Sequence, residues 1–227
     1  MGITLLMIAV LIMSAVFHEY AHGWMAHRLG DDTAEKMGRL TLNPIKHMEL
    51  FGSVLLPLIL VISGSSFLIA WAKPVPFNPY ALRDKIYGSM KVALAGPMSN
   101  AIIAVFFGLL ARFLPIPFLL KHDLAIGLLQ DHDAIMGLIN GSLLNSIFVL
   151  SLLFCFVNLI LMVFNLVPVP PLDGSKVIYP FLPTVAKRWF QKVEAYGIWI
   201  LIFLIVFGIF SFISYLTLYL FSLLTGL

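Results

Sequence analysis

The sequence contains few charged residues and almost no cysteine. Charged residues make up 11% of its 227 residues, and Cys155 is the single cysteine. One cysteine cannot form a disulfide within the chain, and it excludes a metal site built from several cysteines of one chain. Because Cys155 lies inside an apolar run, we interpret it as a small buried residue.

Hydrophobic residues are unusually abundant in this chain. Hydrophobic residues make up 61% of the chain, whereas ordinary globular domains contain about 45–50% apolar residues. This composition predicts an integral, multi-pass membrane protein whose main surroundings are the lipid bilayer. The net charge of +3 and the pI near 9.0 are explained by basic loops beside membrane spans, so nucleic acid is not an expected partner.

Uncharged runs predict about five transmembrane helices, because a helix needs about 20 apolar residues to cross the hydrocarbon. We place these helices at 3–29, 50–72, 92–114, 138–166 and 196–222. Gly52, Pro57 and Gly64 weaken the second run as a regular helix, so a kinked or re-entrant segment is an open alternative there.

The fold class expected from these runs is an all-α polytopic membrane protein. It forms a single membrane-embedded domain over 1–227, with short extended or re-entrant segments. The uncharged stretch from Ala134 to Leu172 spans 39 residues, about twice what one crossing needs. Prolines at 168, 170 and 171 must break this helix after about Asn165.

The first span contains the motif His18-Glu19-x-x-His22. Two histidines four residues apart lie on one face of a helix, where both imidazoles can bind one metal ion. Glu19 lies close enough to act as a general base on a water molecule at that metal. A chance match on a surface helix is the alternative. The uncharged surroundings disfavour it, since polar groups in such a segment are costly without a partner.

A lone carboxylate, Asp173, follows the predicted helix break and precedes Gly174. An ordinary turn aspartate is one interpretation. Its position at the end of a long apolar run favours the other interpretation, a metal ligand, because broken helices at membrane depth line polar cavities.

Several polar stretches keep two interpretations each. Asn100 could pack between helices or face a substrate. His47 is more readily a solvated loop histidine than an additional ligand. The proline-rich segment 73–79 is either a rigid loop or an extended edge that pairs with a peptide. Within 38–44, the alternation of leucines before an Asn-Pro pair predicts a short strand and a turn.

Three separated motifs together resemble the site-2 protease family of intramembrane zinc metalloproteases, and the segments 38–44 and 73–79 resemble its short prokaryotic members in particular. The three motifs are His18-Glu19-x-x-His22, Ala95-Gly96-Pro97-x-x-Asn100 and Asn165-x-x-Pro168-x-Pro170-x-Leu172-Asp173-Gly174. The similarity extends over about residues 15–180. The chain departs from many relatives at Ser175, where a second glycine is common.

The resemblance implies one Zn²⁺ per chain, held by His18, His22 and Asp173, with Glu19 as the catalytic base. It implies that Asn165 steadies the substrate carbonyl; zinc, helped by Asn165 or Asn100, would stabilise the developing oxyanion. The expected activity is hydrolysis of peptide bonds within or near transmembrane segments of protein substrates. The expected location is a prokaryotic inner (plasma) membrane.

A metal-ion transporter, or a metal-binding membrane protein without protease activity, is the competing hypothesis. It would need ligands along a pathway, whereas the sequence supplies one compact set. The oligomeric state is not indicated. Orientation is also open, because the connections 28–49, 73–91 and 173–194 each carry four lysines or arginines.

Overall fold

The computed structural model describes residues 2–49, 73–130, 142–206 and 208–227, together with 55, 58, 59, 62 and 63. The α-helices of the four long ranges are α1 Gly2–Arg28, α2 Thr33–Lys36, α3 Pro44–His47, α4 Gly88–Phe113, α5 Phe118–Gln130, α6 Leu143–Asn165, α7 Asp173–Ile178, α8 Thr184–Glu194, α9 Gly197–Val206 and α10 Ile209–Thr225. A 3-10 turn at Tyr179–Phe181 joins α7 to α8. No residue in the described part of the chain is in a β-strand, as expected for an all-α protein.

Three of the described helices are long and apolar enough to cross a membrane: α1 from Leu5 onward, α4 and α6. They correspond to the first, third and fourth predicted spans. Helix α6 begins at Leu143 because the Ser142 side chain caps it, accepting a hydrogen bond from the Asn145 N–H. Its predicted start at 138, and most of the predicted span 50–72, lie outside the described residues.

The last predicted span, 196–222, is not one helix. It is divided into α9 and α10, and Gly208 between them has a φ of 112°. This left-handed conformation ends a helix and suits glycine, which has no Cβ to clash. Hydrophobicity alone did not reveal the break, and the predicted number of five spans stays a prediction.

Helix α4 occupies the centre of the described bundle. It packs against both α1 and α6, which also contact each other, and α10 packs against both α6 and α4. The helices approach closely at Gly108, where a Cβ atom would lie 2.8 Å from Leu224 Cβ and 3.0 Å from Cys155 Sγ. Cys155 is fully buried there, as predicted.

The expected strand in 38–44 is wrong. The side chains of Thr41 and Asn43 bond to local backbone N–H groups, and Asn43 caps α3 at Pro44. Such local hydrogen bonds compete with strand pairing. The residues around His47 contact the start of the proline-rich segment 73–79, since the Lys73 N–H donates to the His47 carbonyl at 2.8 Å.

Candidate metal centre and its cavity

Three side chains from two distant parts of the sequence converge inside the bundle. His18 and His22 lie on helix α1, and Asp173 is the first residue of α7. The Asp173 Oδ2 atom lies 3.1 Å from His18 Nε2 and 3.2 Å from His22 Nε2, and the two Nε2 atoms are 3.0 Å apart. The three predicted ligands therefore form one cluster, although 155 residues separate His18 from Asp173.

The outer ring nitrogens show which tautomers are present. The Nδ1 atom of His22 lies 2.7 Å from the Val92 carbonyl oxygen. A carbonyl only accepts hydrogen bonds, so Nδ1 carries the proton and Nε2 presents a lone pair. A backbone carbonyl of α4 thus aims His22 at the centre of the cluster.

His18 is held by a chain of amide side chains. Its Nδ1 donates to Asn100 Oδ1 at 2.6 Å, and Asn100 Nδ2 donates to Asn158 Oδ1 at 2.7 Å. Asn158 Nδ2 donates in turn to the Ser14 hydroxyl oxygen and to the Phe154 carbonyl. Because each amide nitrogen is used as a donor, Asn100 Oδ1 must accept, and His18 Nε2 also presents a lone pair.

The cluster therefore contains two imidazole lone pairs and a carboxylate facing one another at 3.0–3.2 Å. When both rings are neutral and both Nδ1 protons are directed outward, no hydrogen lies between these acceptors, and a shared cation would resolve their repulsion. Ligands about 2.0–2.1 Å from a tetrahedral zinc lie roughly 3.3–3.4 Å from one another. The donor set and its spacing fit such an ion.

Two glycines keep room for this arrangement. A Cβ atom at position 96 would lie 2.4 Å from His22 Nε2 and 2.7 Å from His18 Cε1, so any larger residue would enter the cluster. A Cβ atom at 174 would lie 2.2 Å from the Leu166 carbonyl oxygen, so glycine lets α7 begin directly against the end of α6. Ser175, the departure from the family pattern, is buried, and its hydroxyl donates to the Leu172 carbonyl.

A cavity of about 360 Å³ opens beside the cluster. His18, Glu19 and Asn165 lie in its wall, while α1, the end of α6 and the turn before α7 supply mainly apolar residues. Asn165 Nδ2 donates one hydrogen bond to the Leu161 carbonyl. An amide has two N–H donors, so the second can serve a group in the cavity.

The proline-rich segment contributes Pro74 to the lining of this cavity and contacts Glu19. The Val75 N–H donates to Glu19 Oε2 at 2.8 Å, and Arg39 Nη2 donates to the Lys73 carbonyl at 2.8 Å. The Asn78 N–H donates to Asp31 Oδ2 at 2.5 Å. The segment is thus tied to α1 and to the turns that follow it.

These ties leave little of the segment for pairing with a peptide. The N–H groups of Lys73, Val75 and Asn78 all have partners within the described structure. The prolines at 74, 76 and 79 have no N–H. The structure therefore favours the rigid-loop interpretation over an edge strand.

The two polar residues with open interpretations, Asn100 and His47, differ in their relation to the cavity: His47 lines it and Asn100 does not. Asn100 is fully buried behind His18 and is not among the residues that line the cavity; it occupies the packing position that the sequence left open. His47 is 1% exposed, so the expectation of a solvated loop histidine is wrong. Its Nε2 donates to the Thr41 carbonyl at 2.6 Å, which secures the connection before α3.

Sequence reasoning missed Asn158 and Ser14. A signal was present for both, because each is a polar residue within an apolar helix, where polar groups need partners. Ser14, His18 and His22 recur every four residues and so share one face of α1.

A second group of metal-binding residue types lies where α1 ends. His27 Nδ1 is 3.1 Å from Asp32 Oδ1 and 3.5 Å from Glu35 Oε2. These side chains are partly exposed, in contrast to the buried cluster. We call His27, Asp32 and Glu35 the outer group; none of them belongs to the cluster of His18, His22 and Asp173.

Comparison with known proteins agrees with the geometry. The model of peptidase family M50 matches residues 6–208. A Bacillus subtilis protein named "Putative zinc metalloprotease YwhC" is 35% identical over 201 residues, which are 88% of this chain and 79% of that protein. A Mycolicibacterium smegmatis protein named "Putative zinc metalloprotease Rip2" is 28% identical over 206 residues, which are 90% of this chain and 68% of that protein.

The Rip2 protein of Mycobacterium tuberculosis is 27% identical over 90% of this chain and 67% of its own length. No solved structure matches the chain significantly. With a family match over most of its length, and a buried donor set that suits a metalloprotease, this chain belongs to peptidase family M50.

Proposed function

We propose that this protein is an intramembrane zinc endopeptidase of the site-2 type, which hydrolyses peptide bonds within or near transmembrane segments of other proteins. The observation that carries the proposal is the convergence of His18, His22 and Asp173 beside an apolar cavity, with the Nδ1 atom of each histidine held by an acceptor behind it. One Zn²⁺ per chain fits this set. Three protein ligands and one open position are the pattern of a catalytic zinc site.

The roles of the chain's own groups follow from their positions. When bound, zinc acts as a Lewis acid that acidifies the attacking water and polarises the scissile carbonyl. Glu19, in the cavity wall beside His18, takes the proton from the water and passes it to the leaving amine nitrogen. Asn165 donates its free N–H to the carbonyl oxygen as negative charge develops there. Asn100 acts through His18, whose orientation it fixes.

The cavity supports a substrate of extended, apolar character. Its wall is largely apolar and is formed in part by α1 and α6, two helices that could cross a membrane. A peptide bond in a regular helix is hydrogen-bonded and shielded, so a transmembrane substrate must unwind locally before Glu19 can act on it. The Val75 N–H holds Glu19 in place while the segment around it closes that side of the cavity.

The distribution of charge supports an orientation in a prokaryotic inner membrane. Leu29 and Arg83 are joined by a backbone hydrogen bond, as are His47 and Lys73, and α4 contacts α7. The three basic connections therefore share the end of the molecule that carries Asp173. Of the 14 lysines and arginines, all but Arg112 and Lys121 belong to this end. By the positive-inside rule, this end faces the cytoplasm.

The test is cleavage of a defined substrate by the full chain reconstituted in liposomes. The substrate is a single transmembrane segment with helix-weakening residues near its middle, labelled at both ends. We expect cleavage by the unaltered chain and a loss of about 10²–10⁴-fold in rate for Glu19→Gln, with metal content retained. Glu35→Gln, which removes a carboxylate from the outer group, serves as the matched control and should cleave normally.

The same liposomes distinguish the competing function. Zinc flux into the vesicles without cleavage would establish a transporter instead of a protease. Normal cleavage by Glu19→Gln would contradict the assignment of the base.

A further inference from the structure

Helix α8 divides its residues sharply between two faces. At about 100° per residue, its apolar residues fall within one arc of about 140°. These residues are Val185, Ala186, Trp189, Phe190 and Val193. The basic residues Lys187, Arg188 and Lys192 fall outside that arc, against a single acidic residue, Glu194. The helix is therefore amphipathic and carries net positive charge.

One edge of this helix is fixed to the protein. Phe190 packs against Tyr179, with ring centroids 5.6 Å apart. Lys187 Nζ donates to the Pro180 carbonyl at 3.1 Å and lies 5.6 Å from the Tyr179 ring centroid. These contacts set the rotation of α8 about its axis.

The other edge has apolar and basic residues side by side on the surface. Val185 is 65% exposed and Trp189 is 66% exposed. Together with Arg188 and Lys192 they line a groove of about 260 Å³. Lys192 Nζ lies 5.6 Å from the Trp189 ring centroid, so a cation stands directly beside the exposed indole.

The position of α8 along the chain places this groove near the membrane surface. It follows α7, which begins beside the end of α6, and it precedes the uncharged helix α9. Tyr196 and Trp199, at the start of α9, are also exposed. Exposed tryptophan and tyrosine beside basic residues are typical of the membrane–water interface, and basic amphipathic helices lie flat in it.

We propose that α8 lies in the plane of the membrane interface and that its groove binds the phosphate of an anionic phospholipid. Arg188 and Lys192 contact the phosphate. Val185 and Trp189 enter the boundary between headgroups and acyl chains. Charge complementarity selects an anionic headgroup over a zwitterionic one, because each lysine or arginine near an anionic surface contributes about 1 kcal/mol.

The proposal is tested with the full chain in bilayers of phosphatidylcholine containing increasing fractions of phosphatidylglycerol. A nitroxide on Val185→Cys reports depth through its accessibility to oxygen and to a water-soluble nickel chelate; Cys155 is fully buried and stays unlabelled. We expect the label to become oxygen-accessible and nickel-protected as phosphatidylglycerol increases. When Val185→Cys is combined with Arg188→Gln and Lys192→Gln, the response of the label to phosphatidylglycerol should weaken about 30-fold. Each of the two basic residues lost accounts for about 1 kcal/mol of this effect.

The matched control carries Lys36→Gln and Lys46→Gln, which remove two charges from the same end of the molecule but not from α8. Its label should respond to phosphatidylglycerol as the label does in the protein that carries Val185→Cys alone. Equal depth with and without phosphatidylglycerol would overturn the proposal, and so would a label that stays accessible to nickel in every bilayer. Protection that appears only on adding an acidic peptide such as polyglutamate would assign the groove to a protein partner and also overturn it.

Discussion

The buried cluster and the outer group use the same residue types at similar spacing. His18, His22 and Asp173 have donor atoms 3.0–3.2 Å apart, while His27 lies 3.1 and 3.5 Å from the two outer carboxylates. Their surroundings differ. The inner side chains are 8–13% exposed, and the outer ones are 38–58% exposed. Exposed carboxylates are already stabilised by water, whereas buried ones need a cation or a donor.

The larger difference lies in what holds each histidine. Both inner Nδ1 atoms are fixed by acceptors behind them, so both Nε2 lone pairs are forced toward the centre. In the outer group, the nitrogen nearest both carboxylates is His27 Nδ1 itself, and a proton there satisfies the group without a metal. Lys36 adds a further positive charge 3.9 Å from Asp32. We therefore expect the groups that support the candidate ligands, more than the candidate ligands themselves, to decide which of the two groups binds a metal.

The strongest test of this comparison removes one carboxylate from each group. Asp173→Ala should reduce zinc affinity by more than the roughly 100-fold upper figure for losing a supporting group, since a ligand itself is lost. It should also abolish cleavage. Asp32→Ala should leave both unchanged. Metal content per chain, measured after equilibration with a chelator of known zinc affinity, gives the result; equal losses in the two variants would contradict the distinction.

A second change alters only the support of His18. Asn100→Ala removes the acceptor for the Nδ1 proton, and we expect zinc affinity to fall by about 10–100-fold. Asn100→Asp keeps an acceptor oxygen and should recover most of that loss, although it gives up the hydrogen bond to Asn158. Competition with a chelator measures both variants. If the aspartate variant binds zinc as weakly as the alanine variant, Asn100 acts by packing alone.

The smallest expected effect concerns a carboxylate satisfied entirely by protein donors. Burial raises the pKa of Asp31, but hydrogen bonds from Thr33 and Asn78 outweigh it, and the pKa lies below the ordinary 3.8. The ionised form is thus favoured by folding. Asp31→Asn should lower the free energy of unfolding by about 1–3 kcal/mol at neutral pH and leave zinc binding intact.

The difference in stability between the Asp31 protein and the Asp31→Asn variant should shrink as the pH falls below 3.8, because the unfolded aspartate then takes up a proton, and it is lost once the pH falls below the lowered pKa of the folded aspartate. Thermal unfolding in detergent at neutral and acidic pH measures it. A difference that is independent of pH would assign the effect to packing instead of charge.

Sequence patterns predicted the members of the buried cluster well because the constraint is local at each point. The spacing of His18 and His22 follows from helix geometry, and the prolines before Asp173 must end α6 where they do. The break at Gly208 was missed because α9 and α10 are both apolar and uncharged, and hydrophobicity measures membrane affinity, not helix continuity.

What the sequence could not supply was the partner of each polar side chain. Asn100 faces Asn158 across 58 positions and Ser14 across 86, and pairings at such separations depend on how α1, α4 and α6 pack. His47 likewise became buried because its connection folds against Lys73. Such contacts are tertiary, and no local pattern encodes them.

X-ray absorption at the zinc edge tests the central claim most directly, because it counts the imidazoles bound to the metal. For the full chain loaded with one zinc, we expect nitrogen and oxygen ligands at about 2.0–2.1 Å and the scattering of two imidazoles. His22→Ala should reduce the signal to one imidazole, and His27→Ala should leave it at two. A spectrum that changes in His27→Ala and not in His22→Ala would place the metal in the outer group and contradict the account.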